Sequence, residues 1–381
     1  NHISSDSWPI YISLQKDGIL FKMRRTQDIP DKKSATMFFQ DCKLAHQAQI
    51  TGIRHSIKEI LPPDLLDLTQ LQKEANIRYG FTASEVYDIA QSLYEKKLIS
   101  YPRTSSRYLT EDVFDSLPPI MARLLSWELF PAAKGTASID ISSLFRHVIN
   151  AEKANVHHAI IITGIRPGNL PEKEMLVYRL VAGRMLEAFM PPCRIETTDI
   201  EAICAAQHFK AKQTRIIEAG WHDVFMNSDI IPKSGYSVNE LPEVEKGDTL
   251  NVCGRNLVHK KQLPVNPFTD AELVEYMELN GLGTVSSRTN IIRTLVNRKY
   301  IRYSGKYIVP TPKGMFTYET IRGKKIADTS LTADWEKQLA GLESGMITRQ
   351  DFLNRIRTLA KEMTDDIFNT YSQKEKVSIL K

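Results

Sequence analysis

One helical pattern occurs twice in this chain, with the two copies 202 residues apart and no gap between matched positions. In the first copy, residues 61–101, an apolar helix ends at Gly80, and a capping box of Thr82 and Glu85 begins a second helix that leads into a strand. The second copy covers residues 263–303. The matched pairs are Leu61 and Leu263, Pro62 and Pro264, Leu71 and Leu273, Thr82 and Thr284, Ser84 and Ser286, Ile89 and Ile291, Leu93 and Leu295, Ile99 and Ile301, and Tyr101 and Tyr303. The shared order of cap, apolar face and strand predicts two copies of one helix-turn-helix or winged-helix unit.

The copies differ where the strand ends. Tyr101 is followed by Pro102–Thr104, whereas Tyr303 is followed by Ser304–Lys306, which is typical of a hairpin turn. Tyr101 and Arg103 are two positions apart, and side chains at that spacing share one face of an extended segment. We therefore predict chemistry in the first copy and binding alone in the second.

The pair formed by Tyr101 and Arg103 has two interpretations. A tyrosine hydroxyl has an ordinary pKa of about 10, so it attacks a phosphodiester only with help from a nearby cation or base. The planar fork of an arginine suits the charge that grows on a pentacovalent phosphate. The second interpretation involves no chemistry. The spacing of apolar residues and the composition, taken alone, favour a half-buried strand tyrosine beside a surface arginine.

Two later segments also contain residue types suited to a phosphate. His157 and His158 are adjacent, and an imidazole can hydrogen-bond a phosphate oxygen, although local capping or packing explains such a pair equally well. Gly281–Thr284, followed by Ser286 and Ser287, predicts unpaired N–H groups at a helix start, which is a usual seat for an anion. Many helices begin in this way for capping reasons only.

The length and the alternation of apolar residues indicate several domains. At 381 residues the chain exceeds the size at which one core keeps growing. Strands are predicted at 10–14, 19–23, 48–59, 196–202, 209–217 and 249–253, with a hairpin at Lys16–Gly18. We predict a mixed α and β, multi-domain fold with a discontinuous β-rich arch or hinge domain (1–60 and 190–262), an inserted helical domain with Tyr101 (61–189) and a C-terminal helical, winged-helix-like domain (263–381).

Composition narrows the class of protein only slightly. The net charge of +5 is compatible with binding to nucleic acid, but it is also common in proteins that bind none. The four cysteines lie far apart and form no C-x-x-C pair, so we expect neither a zinc site nor a disulfide framework, and we expect a cytoplasmic protein. No apolar run of about 18 residues and no signal sequence are present, so no membrane association is expected. The chain begins at Asn1 without an initiator Met, and we expect it to be a piece of a longer protein.

Three motifs, taken together, resemble those of type IA DNA topoisomerases, in particular the bacterial topoisomerase III branch. Leu93–Thr104 resembles the active-site tyrosine motif of that family, His157–Ile161 the second site motif and Asn280–Arg288 the third, in the order of the family. The similarity runs from about Trp8 to about Leu353. The resemblance implies a ring around a hole for DNA, attack of Tyr101 on one strand of single-stranded DNA, a 5′-phosphotyrosyl link, strand passage and religation without ATP.

The resemblance also assigns roles to residues. It implies Tyr101 as nucleophile, Arg103 as the group that neutralises the phosphate charge, and His157 as a contact to the scissile phosphate. We expect the DNA-binding residues to be Thr104, Arg107, His158, Thr284, Ser287 and Arg288. No metal ligands are expected in this chain.

The chain departs from the family in two respects. The position two after the arginine is usually an aspartate that helps to orient it, but is Ser105 here. The family binds Mg²⁺ in a Toprim domain with an Asp-x-Asp motif, a glutamate and a lysine, which precedes the first strand of this chain. Asp199 and Glu201 have that spacing, but they lie in a strand-like run whose alternation indicates a solvated face. We therefore expect Mg²⁺ in the parent enzyme only, and a chain that binds single-stranded DNA but cleaves it weakly or not at all.

Rival functions and partners remain open at this point. A non-catalytic winged-helix module would bind duplex DNA, and a purely structural role would show no affinity for oligonucleotides. A tyrosine recombinase needs arginines and histidines around a C-terminal tyrosine, and Tyr371 has no such neighbours in sequence. We expect a monomer in the bacterial nucleoid, with a helicase or a single-strand-binding protein as partner of the parent enzyme.

Overall fold

The computed structural model describes residues 6–127, 129–130, 146–154, 157–225, 241–261 and 266–379. The chain divides into two compact units. The β unit draws on Asn1–Pro63, Leu125–Arg146 and Met185–Asn266, and the helical unit draws on Asp64–Leu124, His147–Arg184 and Pro267–Lys381. Most of the two segments predicted as separate helical domains thus belongs to one unit, while 125–146 and 185–189 belong to the β unit. The three-domain division stays a prediction.

The β unit contains a closed barrel in which every strand pairs with two antiparallel neighbours. Its strands are β1 Ile10–Lys16, β2 Ile19–Arg25, β3 Gln47–Ile60, β4 Cys193–Cys204, β5 Gln207–Glu218 and β6 Thr249–Leu257, in the order β1-β2-β5-β4-β3-β6. The predicted strands and the first hairpin are confirmed. Asp17 and Gly18 both have positive φ, 53° and 82°, as a two-residue turn of type I′ requires.

Inward-facing residues of alternate strand positions fill the barrel. Fully buried side chains include Ile10, Ile12, Leu14, Phe21, Met23, Ile50, Ile200, Ala202 and Phe209. Asp31 is the N-cap of helix α1, Lys32–Leu44, and its side chain accepts the Ser34 N–H. The helix packs Ala35 and Cys42 onto this core. The barrel closes through short ladders, since β2 pairs with β5 at two positions and β3 with β6 at three. Glu201 lies on the outer side of β4, where it pairs with Lys210 at 2.8 Å, as predicted for a solvated face.

β3 and β4 connect the two units along the chain. They pair from Gln49 opposite Ile203 to Ile60 opposite Cys193, so the chain leaves the barrel at one strand end and returns at the adjacent one.

The remaining elements are helices and one small sheet. The two-stranded sheet joins β7 Ile301–Ser304 to β8 Tyr307–Pro310. The helices that follow β3 are α2 Leu68–Tyr79, α3 Ala83–Glu95, α4 Glu111–Asp115, α5 Leu117–Ser126, α6 Ala151–Ala154, α7 Glu172–Phe189, α8 Asp270–Leu279, α9 Arg288–Asn297, α10 Pro312–Ile321, α11 Thr329–Glu343 and α12 Arg349–Ile379.

The repeated helices form where the sequence predicts them. α2 ends at Gly80 in the left-handed conformation (φ 71°), and Thr82 and Glu85 complete the capping box of α3. α8 begins 202 residues after α2, and the N-caps of these helices, Asp67 and Thr269, are equivalent positions. The capping box of α3 does not recur, because α9 begins only at Arg288.

The two copies pack against each other within the helical unit. α2 contacts α8, and α3 contacts α9. Lys73 Nζ lies 2.6 Å from Glu275 Oε1, and these residues are equivalent positions of the two copies. The Gln72 side chain also donates to Thr289 Oγ1 at 2.8 Å. Contact between equivalent residues is the mark of a two-fold relation, so the copies form a local pseudo-dimer.

A short strand pair completes each copy, but its closure differs. In the second copy, β7 and β8 are joined by a tight turn at Gly305, and the Ile308 N–H donates to the Phe268 carbonyl. In the first copy, Ile99 pairs with Ile162, and the Ile160 N–H donates to Leu66 in the same way. The turn of the second copy is therefore replaced in the first by the long segment 102–159. None of the described helices has the length and apolarity that crossing a membrane requires.

Candidate active site around Tyr101

Hydrogen bonds of Ser100 fix the backbone immediately before Tyr101. The Ser100 N–H donates to the Ile161 carbonyl at 2.8 Å, while the Ser100 hydroxyl donates to Ala159 O and accepts from Ile161 N–H. Pro102 is buried immediately after the tyrosine and restricts the backbone there. Tyr101 therefore lies next to the second motif, immediately before a bend at Pro102.

The Tyr101 ring contacts two other rings, those of His157 and Tyr94. Its centroid lies 4.6 Å from that of His157, with an interplanar angle of 47°. Tyr94, near the end of α3, makes an edge contact with Tyr101 at 5.5 Å. The structure thus brings together the predicted nucleophile and the predicted phosphate-binding histidine, although 56 positions separate them in the sequence.

Arg103 lies against α3. Its guanidinium carbon is 5.2 Å from the centroid of the Tyr87 ring, and Nη2 donates to Gln91 Oε1 at 3.2 Å. Tyr87, Gln91 and Tyr94 have the i, i+4, i+7 spacing of one helix face. Tyr101 and Arg103 therefore contact the same face of α3, as the two-residue spacing predicts.

The Nε–H of Arg103 is buried and has no hydrogen-bond partner among the described residues. A buried donor without an acceptor costs about 1–3 kcal/mol. An acceptor supplied by a bound ligand would remove that cost.

The Thr104 hydroxyl is engaged within the protein. Thr104 is only 3% exposed, and its hydroxyl donates to the His157 carbonyl at 2.8 Å and accepts the Ser106 N–H at 3.0 Å. The next residue, Ser105, is exposed. Thr104 thus positions His157, and the expected DNA contact of Thr104 stays a prediction.

Arg107 and His158 also have protein partners. Arg107 Nε donates to Asp67 Oδ2 at 2.6 Å, and the same carboxylate group caps α2 through the Gln70 N–H. His158 Nδ1 lies 2.7 Å from the Ala159 carbonyl, so this nitrogen carries a proton and Nε2 is the atom left for a ligand. The DNA contacts expected of Arg107 and His158 stay predictions.

In the third motif, three of the N–H groups near the helix start are bonded within the protein. The Thr284 N–H donates to Ser287 Oγ at 2.8 Å, and the N–H groups of Ser287 and Arg288 donate to the Thr284 carbonyl at 3.1 Å. Gly283 permits this tight turn, because its φ is 69° and a Cβ there would lie 2.8 Å from Ser287 Oγ. The prediction of free donors at these three positions is wrong, since the Ser287 side chain and the Thr284 carbonyl occupy them.

Arg288 is buried between the two copies. It is 8% exposed, and its Nη1 lies 3.3 Å from Thr69 Oγ1 and 3.5 Å from Glu278 Oε1. Burial, together with the nearby Asp67 charge, raises the pKa of Glu278. Arg288 therefore contacts the first turn of α2, and its direct contact with a DNA backbone stays a prediction.

The first turn of α2 joins the first and third motifs. Asp67 binds Arg107, the Leu68 N–H donates to the Thr104 carbonyl at 3.2 Å, and Thr69 accepts from Arg288. Sequence analysis missed this role of α2, and it missed Tyr87 and Gln91. The polar and aromatic positions on the face of α3 next to its apolar stripe were the available signal.

The described residues do not suit a divalent metal. No group of three or more His, Cys, Asp or Glu side chains in that part of the chain could hold an ion. Two acidic residues near the site, Asp67 and Glu278, are engaged with arginines. Mg²⁺ therefore has no fitting site among these residues.

Comparisons with known proteins identify the family. A family model described as DNA topoisomerase matches residues 1–354. DNA topoisomerase 3 of Bacillus licheniformis is 32% identical over 344 residues, which cover 84% of this chain and 47% of that protein. The Bacillus subtilis DNA topoisomerase 3 is 30% identical over 349 residues, covering 85% and 48%.

A solved structure shares the fold. Full-length topoisomerase I from Thermotoga maritima superposes with a TM-score of 0.72 at 21% identity, over 95% of this chain and 59% of that one. The chain spans about half the length of the curated relatives that it matches. The mixed α and β fold of this chain is therefore that of a type IA topoisomerase. The chain belongs to the DNA topoisomerase family, within its type IA class, and resembles the DNA topoisomerase 3 members.

Proposed function

We propose that this chain is the part of a type IA DNA topoisomerase that binds single-stranded DNA and supplies the attacking tyrosine. The contact of Tyr101 with His157, on the same α3 face that holds Arg103, carries this proposal. Family membership supports the reaction class, and the arrangement around Tyr101 supports the residue roles.

Tyr101 is the nucleophile in this proposal. Its phenolic oxygen forms a bond to the phosphorus of a DNA phosphodiester while the bond from phosphorus to the 3′ oxygen breaks. The tyrosine gives up its proton, and the departing 3′ oxygen takes up one proton and leaves as a hydroxyl, so the step releases no net proton. The strand then carries a 5′-phosphotyrosyl link, which keeps the ester energy, so religation after strand passage needs no ATP.

Arg103 and His157 bind the phosphate in this proposal. Arg103 directs its buried, unsatisfied Nε–H at a phosphate oxygen, which supplies the acceptor that the protein lacks. His157 hydrogen-bonds a second oxygen, and Thr104 holds the backbone of His157 in place. The DNA backbone is contacted by Thr284, Ser287 and Arg288, together with the lysines and arginines around α9.

Mg²⁺ belongs to the parent enzyme in this proposal. The described residues offer it no acidic cluster, so no step is assigned to the metal here. The isolated chain therefore binds single-stranded DNA and cleaves it weakly or not at all. We assign the parent enzyme to the bacterial cytoplasm at the nucleoid, as a monomer with a helicase or a single-strand-binding protein as partner.

A labelled single-stranded oligonucleotide tests this function. The protein and its Tyr101→Phe variant are incubated with the oligonucleotide and Mg²⁺, and each mixture is run on a native and on a denaturing gel. A native shift without a denaturation-stable adduct supports the proposal. An adduct that is lost in Tyr101→Phe contradicts the division of the active site, because Tyr101 then needs no second domain.

The same gels test the rival functions. Tighter binding of duplex than of single strands, with no effect of Tyr101→Phe, would support a non-catalytic winged-helix module. Absence of any salt-dependent shift would support a structural role.

A further inference from the structure

The residue that orients Arg103 is not its neighbour in sequence. Ser105, at the position where the family usually has an aspartate, is exposed. The contacts of the Arg103 guanidinium are with Tyr87 and Gln91 on α3. We propose that Tyr87 and Gln91 position Arg103 for the DNA phosphate and replace the missing carboxylate, an inference that rests on the proposed function of Arg103.

Tyr87 supplies a surface for the guanidinium. The Arg103 carbon Cζ lies 5.2 Å from the ring centroid, within the range of a cation–π contact. Because the ring attracts the face of the planar group, the N–H donors at its edge stay available to other partners. Tyr87 thus restricts the plane of the guanidinium without using its hydrogen bonds.

Gln91 fixes the rotation within that plane. Its Oε1 accepts from Arg103 Nη2 at 3.2 Å, and its amide nitrogen donates to Glu95 Oε1 at 2.8 Å. The bond to Glu95 determines which end of the amide faces Arg103. A neutral acceptor also leaves the arginine with its full positive charge, whereas a carboxylate would neutralise part of the field that the phosphate experiences.

α3 is a rigid support for both residues. Thr82 and Glu85 cap its start, and Val86, Ala90 and Leu93 are buried on the adjacent face of the helix. The same helix contacts the Tyr101 ring through Tyr94. α3 therefore sets the placement of the arginine relative to the nucleophile, as a preorganised site requires.

The position of Arg103 can be measured directly by NMR. The Arg103 Nε–Hε resonance of ¹⁵N-labelled protein is assigned by its loss in Arg103→Lys. The aromatic ring of residue 87 should shift this resonance through its ring current. The shift should persist in Tyr87→Phe, which keeps the ring, and disappear in Tyr87→Leu. Gln91→Leu should also shift this resonance. Matched controls are Tyr276→Leu, an exposed tyrosine on α8, and Gln350→Leu on α12.

Binding of a fluorescein-labelled single-stranded oligonucleotide gives the functional readout. Arg103→Ala should weaken binding about tenfold, the effect of losing one charge-assisted hydrogen bond. Tyr87→Leu and Gln91→Leu should each weaken binding, with no further loss when combined with Arg103→Ala. Tyr87→Phe should bind like the wild type, which a general structural defect at this position would not predict.

Two results would overturn the inference, and they are distinguishable from a failure of the proposed function. The positioning is wrong if the Arg103 resonance is unchanged in both Tyr87→Leu and Gln91→Leu, or if Arg103→Ala weakens binding while both of these variants bind normally. Wild-type affinity of Arg103→Ala would instead show that the proposed phosphate contact is wrong.

Discussion

The two copies place a tyrosine at the same register but in different surroundings. Tyr303 donates its hydroxyl to Asp270 at 3.2 Å, and burial, together with the Asp270 charge, raises the pKa of Tyr303 well above its ordinary value. Tyr101 has ring contacts with His157 and Tyr94. The second tyrosine is held as a neutral packing group, whereas the first lies next to groups that can bind a phosphate.

The cause of this difference is the closure of the strand pair. In the second copy the chain returns directly through Gly305 (φ 59°), so β8 follows β7 without an insertion. In the first copy the returning strand comes from residues 160–162, which brings His157 next to Tyr101. The two copies thus share their supporting helices. The site is found in the copy where a long segment stands in place of the tight turn.

The largest contrast between the copies is expected in covalent chemistry. In a full-length enzyme that contains this chain, Tyr101→Phe should abolish the denaturation-stable DNA adduct, because no other hydroxyl occupies its place. Tyr303→Phe should leave adduct formation intact, since the Tyr303 hydroxyl only donates a hydrogen bond to Asp270. Denaturing gels with labelled single-stranded DNA measure both. Loss of the adduct in Tyr303→Phe would contradict the division into a catalytic and a supporting copy.

The equivalent leucines of α2 and α8 should differ in their contribution to stability. Leu71 is fully buried, whereas Leu273 is only partly buried. Leu71→Ala should lower the free energy of unfolding by about 3 kcal/mol and Leu273→Ala by about 1 kcal/mol, following the burial of each side chain. Urea unfolding followed by circular dichroism gives both values. Equal losses would mean that the copies contribute alike to the core.

The equivalent N-caps provide a smaller contrast. Asp67 is 1% exposed, caps α2 and pairs with Arg107, whereas Thr269 caps α8 in a capping box with Glu272 and has no arginine partner among the described residues. Asp67→Ala should cost about 2 kcal/mol, because the cap and a partner of Arg107 are lost together, and Thr269→Ala about 1 kcal/mol. Unfolding midpoints in urea compare the two variants. A cost of Asp67→Ala no larger than that of Thr269→Ala would show that the Arg107 pair adds nothing.

The smallest effect concerns the pH dependence of stability in the second copy. Burial raises the pKa of Asp270, although the bond from Tyr303 opposes this shift. The folded state therefore holds this proton more tightly than the unfolded state. The resulting stability is fully present below the ordinary pKa of about 3.9 and is lost as the pH rises through the folded pKa.

Replacing Asp270 should remove this loss. In Asp270→Asn, the free energy of unfolding should fall less than in the wild type as the pH is raised from below the ordinary pKa of aspartate to neutrality. Urea titrations across that interval measure the difference between the two proteins. An identical pH dependence would mean that Asp270 titrates alike in the folded and unfolded states.

Local signals in the sequence predicted local structure well. Gly80, Thr82 and Glu85 predicted the turn between α2 and α3, because caps are determined by residues next to each other in sequence. The hairpin at Asp17 and Gly18 followed for the same reason. The strand order of the barrel and its closure could not be predicted, since pairing between distant strands leaves no local mark.

The candidate site was predictable only in part. Tyr101, Arg103 and His157 were found through motifs, and the structure brings Tyr101 and His157 into contact. The burial of Arg288 was not foreseen, because it depends on packing between the copies. Tyr87 and Gln91 were also missed, since a polar helix face reads as solvated unless its tertiary neighbours are known.

The pairing of Ile60 with Cys193 has a consequence for the order of folding. Joining β3 to β4 from an unfolded chain closes a loop of about 130 residues, for which the logarithmic closure term alone is about 4 kcal/mol. If the helices between them fold first, the free loop is much shorter, and this entropy is recovered before the strands meet. The barrel should therefore acquire its hydrogen-exchange protection after α2 and α3, so that the last step of folding is the sealing of the barrel along β3 and β4.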